Sequence, residues 1–162
     1  MSSTGVFGQT DGSWVDEWTP PSPADPTAQV LVEAERLVLD RSLHRAQPRI
    51  VRCSGLYGPG RTGTIERIRT GALALGCGDD TWMNFCHRDD AAVTVIAALD
   101  RGSPGAAYHA SDASPATRHD VVAWIAARLA IAPPRSAEAT RRELGVRLVH
   151  PSFREGLAPF LG

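Results

Sequence analysis

The chain has 162 residues, enough for one domain with a real core, and its 43% hydrophobic and 22% charged residues are the make-up of a globular protein rather than a disordered or fibrous one. Its 17 basic and 18 acidic residues leave a formal charge of −1, which gives no electrostatic reason to expect nucleic acid or an anionic membrane as a partner. Every one of those cations is an arginine, so lysine chemistry is excluded.

Residues 2–6 read as the end of a strand, and 9–23 as an irregular loop holding Trp14 and Trp18 among Asp and Gly. These two tryptophans are expected to anchor the loop on the core, the alternative being that they line a substrate mouth. Asp25 followed by Pro26 is an N-cap with proline at the first helical position. Val30, Leu31, Ala34, Leu37 and Val38 then recur at three- and four-residue spacing, predicting an apolar face on a helix that runs to about residue 44. Ile50 and Val51, between Pro48 and Gly55, mark a short buried strand over 49–53.

Gly58, Pro59, Gly60 and Gly63 hold the chain irregular until a helix over about 64–74, with Ile65 and Ile68 inward and Arg67 and Arg69 outward. A strand is expected over 82–87, and Asp89 or Asp90 should cap the helix 91–100, whose Val93, Val95, Ile96 and Leu99 predict burial on all sides. A strand over 106–110 follows. Thr117 and Asp120 then open an amphipathic helix through Val121, Val122, Ile125 and Leu129, with Trp124 at its edge. Pro133 and Pro134 break the chain, a short helix is expected from about 136, and Ser152 with Glu155 forms a capping box for a last one. Strands alternating with helices give an α/β class in a single domain spanning 1–162.

Cys53, Cys77 and Cys86 are odd in number and lack C-x-x-C spacing, so neither a disulfide framework nor a zinc site is implied and free buried thiols are expected. The N-terminus shows no charged region followed by an apolar core, and the longest apolar run, 91–99, is far short of a membrane span. A cytoplasmic protein is the expectation.

Gly58, Gly60 and Gly63 spell G-x-G-x-x-G between a strand and a helix, a literal match to the dinucleotide fingerprint. The context is wrong for it. The true fingerprint puts its first glycine in a tight turn straight off the strand, whereas Ser54 to Tyr57 intervene here and Pro59 sits between two glycines. Instead, Leu56-Tyr57-Gly58-Pro59-Gly60-Arg61 resembles the tyrosine-Gly-Pro-Gly loop of the extended short-chain dehydrogenase/reductases, the NAD-dependent epimerase/dehydratase group. Three further segments are similar to that family in the same order: Ser2-Ser3-Thr4-Gly5-Val6-Phe7-Gly8, Asn84 through Ala91 with its His87-Arg88-Asp89-Asp90 core, and Ala107 through Asp112 followed by Thr117.

The resemblance implies a partial Rossmann-like architecture: the C-terminal, substrate-side portion of an NAD(P)-dependent protein, without the N-terminal βαβ units that carry the dinucleotide turn. It places Ser3 at the catalytic Ser/Thr position, Cys53, Ser54, Gly55 and Leu56 toward the nicotinamide of NAD or NADP, and Tyr57 and Arg61 on the substrate side. The family's Tyr-x-x-x-Lys pair would fall at Thr27 and Leu31, so that pair is absent, and Thr4 and Gly5 stand where dehydratases carry Asp-Glu. The segment with Glu33-Ala34-Glu35 resembles an atypical subgroup. Ser3 also has an ordinary reading as a strand-end cap, and Arg61 one as a solvated surface residue; its fork suits a phosphate or carboxylate if it binds. His87, Asp89 and Asp90 could be offered as metal ligands or as a base pair, but at a strand-to-helix junction the two carboxylates read as N-caps that interact with the helix dipole. A small-molecule substrate, and self-association or a partner supplying the dinucleotide half, are the partners implied.

Overall fold

The computed structural model describes residues 1–40, 47–73 and 80–130. At its centre is a three-stranded parallel sheet in the order β1 (Ser2–Ser3), β2 (Ile50–Cys53), β6 (Ala107–Ala110). Parallel strands need crossovers, and the long connection from β1 to β2 carries the helix α1 (Pro26–Leu39). The carboxylate of Asp25 accepts the Ala28 N–H at 3.0 Å, as the cap signal predicts. The helix ends at Leu39, and the remainder of its predicted length lies outside the described residues.

The face of α1 that turns inward differs from the predicted one. Ala28 and Glu35 are buried, Leu31, Val32 and Leu39 half-buried, and Val30, Ala34, Leu37 and Val38 exposed. The cause is Arg52, which rises from β2 with its side chain only 7% exposed and lies against Glu35, Nη2 to Oε2 at 2.8 Å and Nε to Oε1 at 3.1 Å. A buried cation without a counter-charge costs several kcal/mol, so α1 turns its carboxylate rather than its most apolar stripe toward the sheet.

The helix α3 (Arg88–Arg101) covers the other face. Val51, Cys53 and Ala110 meet Ala91, Ala98 and Cys86 there, with Leu56, Val95 and Tyr108 at the margin. Burial on all sides does not occur: the small residues Ala91 and Ala98 make the close approach, and Val93, Ile96 and Leu99 point outward, 64–67% exposed. A helix lying on one sheet buries one stripe, whatever the apolarity of the others. Its cap is also not an aspartate. His87 Nδ1 accepts the Asp89 N–H at 3.3 Å, while Asp89 and Asp90 occupy the first turn, where the helix dipole favours them.

The predicted strand over 82–87 divides at Asn84. β4 (Trp82–Met83) pairs antiparallel with β7 (Ala116–Thr117), and β5 (Phe85–His87) pairs parallel with β3 (Gly55–Tyr57). A second core joins the short α2 (Gly63–Arg69) to α4 (Arg118–Arg128) through Ile68, Leu73, Val122 and Ala126. Thr117 Oγ1 accepts the Asp120 N–H and donates to its carboxylate, the cap read from sequence. The predicted elements beyond residue 130 lie outside the described residues.

Trp14 and Trp18 do not anchor their loop, being 86% and 88% exposed. Backbone and carboxylate contacts do that work instead: the Ser22 N–H donates to the Val6 carbonyl at 2.9 Å, Glu17 accepts the His109 N–H, and Asp16 accepts the N–H groups of Trp18 and Thr19. Among the described residues no helix is long and apolar enough to cross a membrane.

Candidate functional site

Open parallel sheets place ligands beyond the C-terminal ends of their strands, and a cavity of about 320 Å³ lies there. Ser3 and Thr4 line it from the end of β1, Cys53 and Ser54 from the end of β2, Gly55 and Leu56 from β3, and Arg61 from the turn beyond. Six of the seven residues singled out from sequence therefore converge on one cavity. Tyr57 does not line it: its ring sits edge-on to His87 at 5.3 Å and to Phe85 at 6.5 Å.

Each lining group has a definable capacity. Ser3 Oγ accepts the Gly5 N–H at 3.1 Å, capping the single 3-10 turn Thr4–Val6, and its hydroxyl hydrogen stays available to a ligand oxygen. The structural and the chemical reading of Ser3 thus coexist. Ser54 donates both its N–H, at 3.0 Å, and its hydroxyl, at 3.1 Å, to the Ala110 carbonyl, so it shapes the wall rather than offering a donor. Cys53 is buried, and burial pushes its thiol above the ordinary cysteine range, which disfavours the nucleophilic thiolate.

Among the residues that line the cavity, Arg61 supplies the cationic side chain, and its guanidinium has no ion pair or hydrogen bond among the described residues. Its backbone is fixed. The Arg61 N–H closes a turn on the Gly58 carbonyl at 2.8 Å, and Gly58 has φ +133°, a conformation side-chain-bearing residues rarely adopt. His87 Nε2 would lie 2.8 Å from any Cβ placed on Gly58, and Arg88 Nη1 donates to the Pro59 carbonyl. His87 and Arg88 therefore brace the turn that presents Arg61, a role the sequence did not disclose. Its only signal was two hydrogen-bonding side chains at the junction of a short strand and a helix.

Thr27 and Leu31, where the tyrosine and lysine would fall, occupy the first two turns of α1, Thr27 exposed and Leu31 half-buried. Neither provides an acid or a base.

No family model matches the sequence. A structure from Methylobacillus flagellatus described as an NAD-dependent epimerase/dehydratase is similar over 99% of this chain and 61% of its own, with 32% identity and a TM-score of 0.65. A dTDP-glucose 4,6-dehydratase from Streptomyces venezuelae, solved with NAD, is similar over 97% of this chain and 56% of its own, at 22% identity and a TM-score of 0.74, a likeness of fold alone. The chain carries part of the extended short-chain dehydrogenase/reductase fold. A 3-diazoavenalumate denitrifying reductase from a Streptomyces species is 29% identical over 81% of this chain and 52% of that protein. The chain thus spans about half the length of this curated relative and about three-fifths of the two solved structures.

Proposed function

We propose that the chain is the substrate-side portion of an NAD(P)-dependent epimerase/dehydratase-like oxidoreductase, weak or inactive by itself. The observation that carries this reading is the convergence of Ser3, Cys53 to Leu56 and Arg61 on one cavity at the C-terminal ends of parallel strands. About 320 Å³ is at the low end for ligand cavities and suits a substrate or the nicotinamide end of a cofactor. Gly58 comes straight off β3 and Gly63 opens α2, but β3 stands outside the three-stranded sheet. The residues between close a turn, with the Arg61 N–H on the Gly58 carbonyl and Arg88 on the Pro59 carbonyl, so this loop does not match the pyrophosphate cradle of a helix opening off the central sheet. NAD(P), when bound, supplies the hydride acceptor or donor. Ser3 then donates a hydrogen bond to the substrate oxygen, and Arg61 holds an anionic group.

Calorimetric titration of the purified chain with NAD and NADP tests the reading. Affinity weaker than low micromolar is expected, and binding in that range or tighter overturns it. Absence of the Tyr-x-x-x-Lys pair favours a second reading, a non-catalytic binding module that keeps part of the fold. Coding sequence upstream of Met1 separates the two: an in-frame or adjacent Gly-rich βαβ unit supports the enzyme portion, and its absence supports the module. In the first case the supplier of that unit is the expected partner.

A further inference from the structure

Three polar atoms buried in the described structure have no hydrogen-bond partner: Ser2 Oγ, Arg52 Nη1 and His109 Nε2. They belong together. Ser2 is in register with Arg52, and Arg52 with His109, so the three side chains stand in one row across β1, β2 and β6 on the face that α1 covers. Arg52 has already committed Nε and Nη2 to Glu35, so Nη1 is its one unpaired donor. Phe7 closes it off, its ring edge-on to His109 at 5.4 Å and 5.2 Å from the guanidinium carbon of Arg52.

Left dry, each of these atoms would cost the fold the desolvation of an unmade hydrogen bond, and three in one row point to a shared solution. Their chemistry fits one small molecule: Arg52 can only donate, a neutral imidazole nitrogen can accept, and a hydroxyl does either. We propose that one buried water molecule joins Ser2, Arg52 and His109, and that this junction seats β1, and hence Ser3, only while His109 is neutral. The water accepts from Arg52 Nη1 and donates to His109 Nε2 and Ser2 Oγ, so the imidazole carries its hydrogen on Nδ1.

A proton on Nε2 would set donor against donor and place a second cation beside Arg52. The charges facing His109 are Glu17 and Asp16 from the loop and Glu35 from α1, which favour a proton, and Arg52, which opposes it. Burial outweighs the carboxylates and holds the imidazole below its ordinary range. The unfolded chain then binds a proton at a higher pH than the folded one. Stability is full above the free-imidazole pKa of about 6.5 and declines as pH falls from there toward the folded value.

Long-range proton–nitrogen NMR of the labelled full chain at neutral pH should show His109 Nε2 as an acceptor, with a titration midpoint below that of free imidazole. A high-resolution crystal structure should show one ordered solvent peak within hydrogen-bond distance of all three atoms. In His109→Gln the stability decline below about pH 6.5 should flatten relative to wild type. An Nε2–H tautomer, a midpoint at or above free imidazole, no shared peak, or an unchanged pH slope in His109→Gln would each overturn the proposal. If that variant fails to fold, the wild-type tautomer and titration decide.

Discussion

Removing one member of the Arg52–Glu35 pair leaves the other charged and buried. Glu35→Ala should therefore lose about 3–5 kcal/mol in urea unfolding, whereas Arg52→Met with Glu35→Leu together should lose much less. The sequence contains only half of what is needed to assign this pair. An arginine between Ile50, Val51 and Cys53 in a buried strand requires a carboxylate, but Glu33 and Glu35 differ only by a rotation of α1, and the sheet decides that rotation. Burial also raises the thiol pKa of Cys53 and of Cys86, so both should resist alkylation at mildly alkaline pH until the chain unfolds, as peptide mass spectrometry would read. The sign follows from the same shift: the folded chain keeps these protons after the unfolded chain has released them. Their stabilising contribution is present below the unfolded thiol pKa and fades as pH rises beyond it. Rapid labelling of native Cys53 would contradict the buried setting.

Elements whose cause is local were legible, and those whose cause is a distant neighbour were not. Asp25 with Pro26, and Thr117 with Asp120, identify helix starts because cap and helix are adjacent in sequence. The split of 82–87 into β4 and β5 depends on β7 and β3, which no local pattern names. Tyr57 shows the same limit within the site. Side chains alternate along a strand, so the register that sends Leu56 toward the cavity sends Tyr57 away from it. The turn that presents Arg61 has a sharper dependence: Gly58→Ala meets both a positive φ and the His87 ring, and should cost about 1–3 kcal/mol. Ligand affinity attributed to Arg61 should fall with it, while Gly63→Ala, which meets nothing within 4 Å, should leave both unchanged.

At the scale of the molecule, two helices present apolar stripes to solvent: Val30, Leu37 and Val38 on α1, and Val93, Ile96 and Leu99 on α3. β1 also ends the described sheet, with β2 on one side only. Edges and patches of this kind invite another chain, so light scattering behind size-exclusion chromatography should find dimers or aggregates. Ile96→Glu with Leu99→Glu should reduce that association while changing the stability of the monomer by only about 0.5 kcal/mol each, as surface substitutions do. A clean monomer melting cooperatively above ~60 °C would show instead that the chain closes its own core. The placement of the indoles decides how such melts can be followed. Trp14, Trp18, Trp82 and Trp124, all the tryptophans of the chain, are 58–88% exposed. Native emission should already be that of hydrated indole, acrylamide should quench it almost as readily before unfolding as after, and the transition should be nearly invisible to fluorescence. Far-ultraviolet circular dichroism, carried by α1, α3 and α4, is where the melt should show itself.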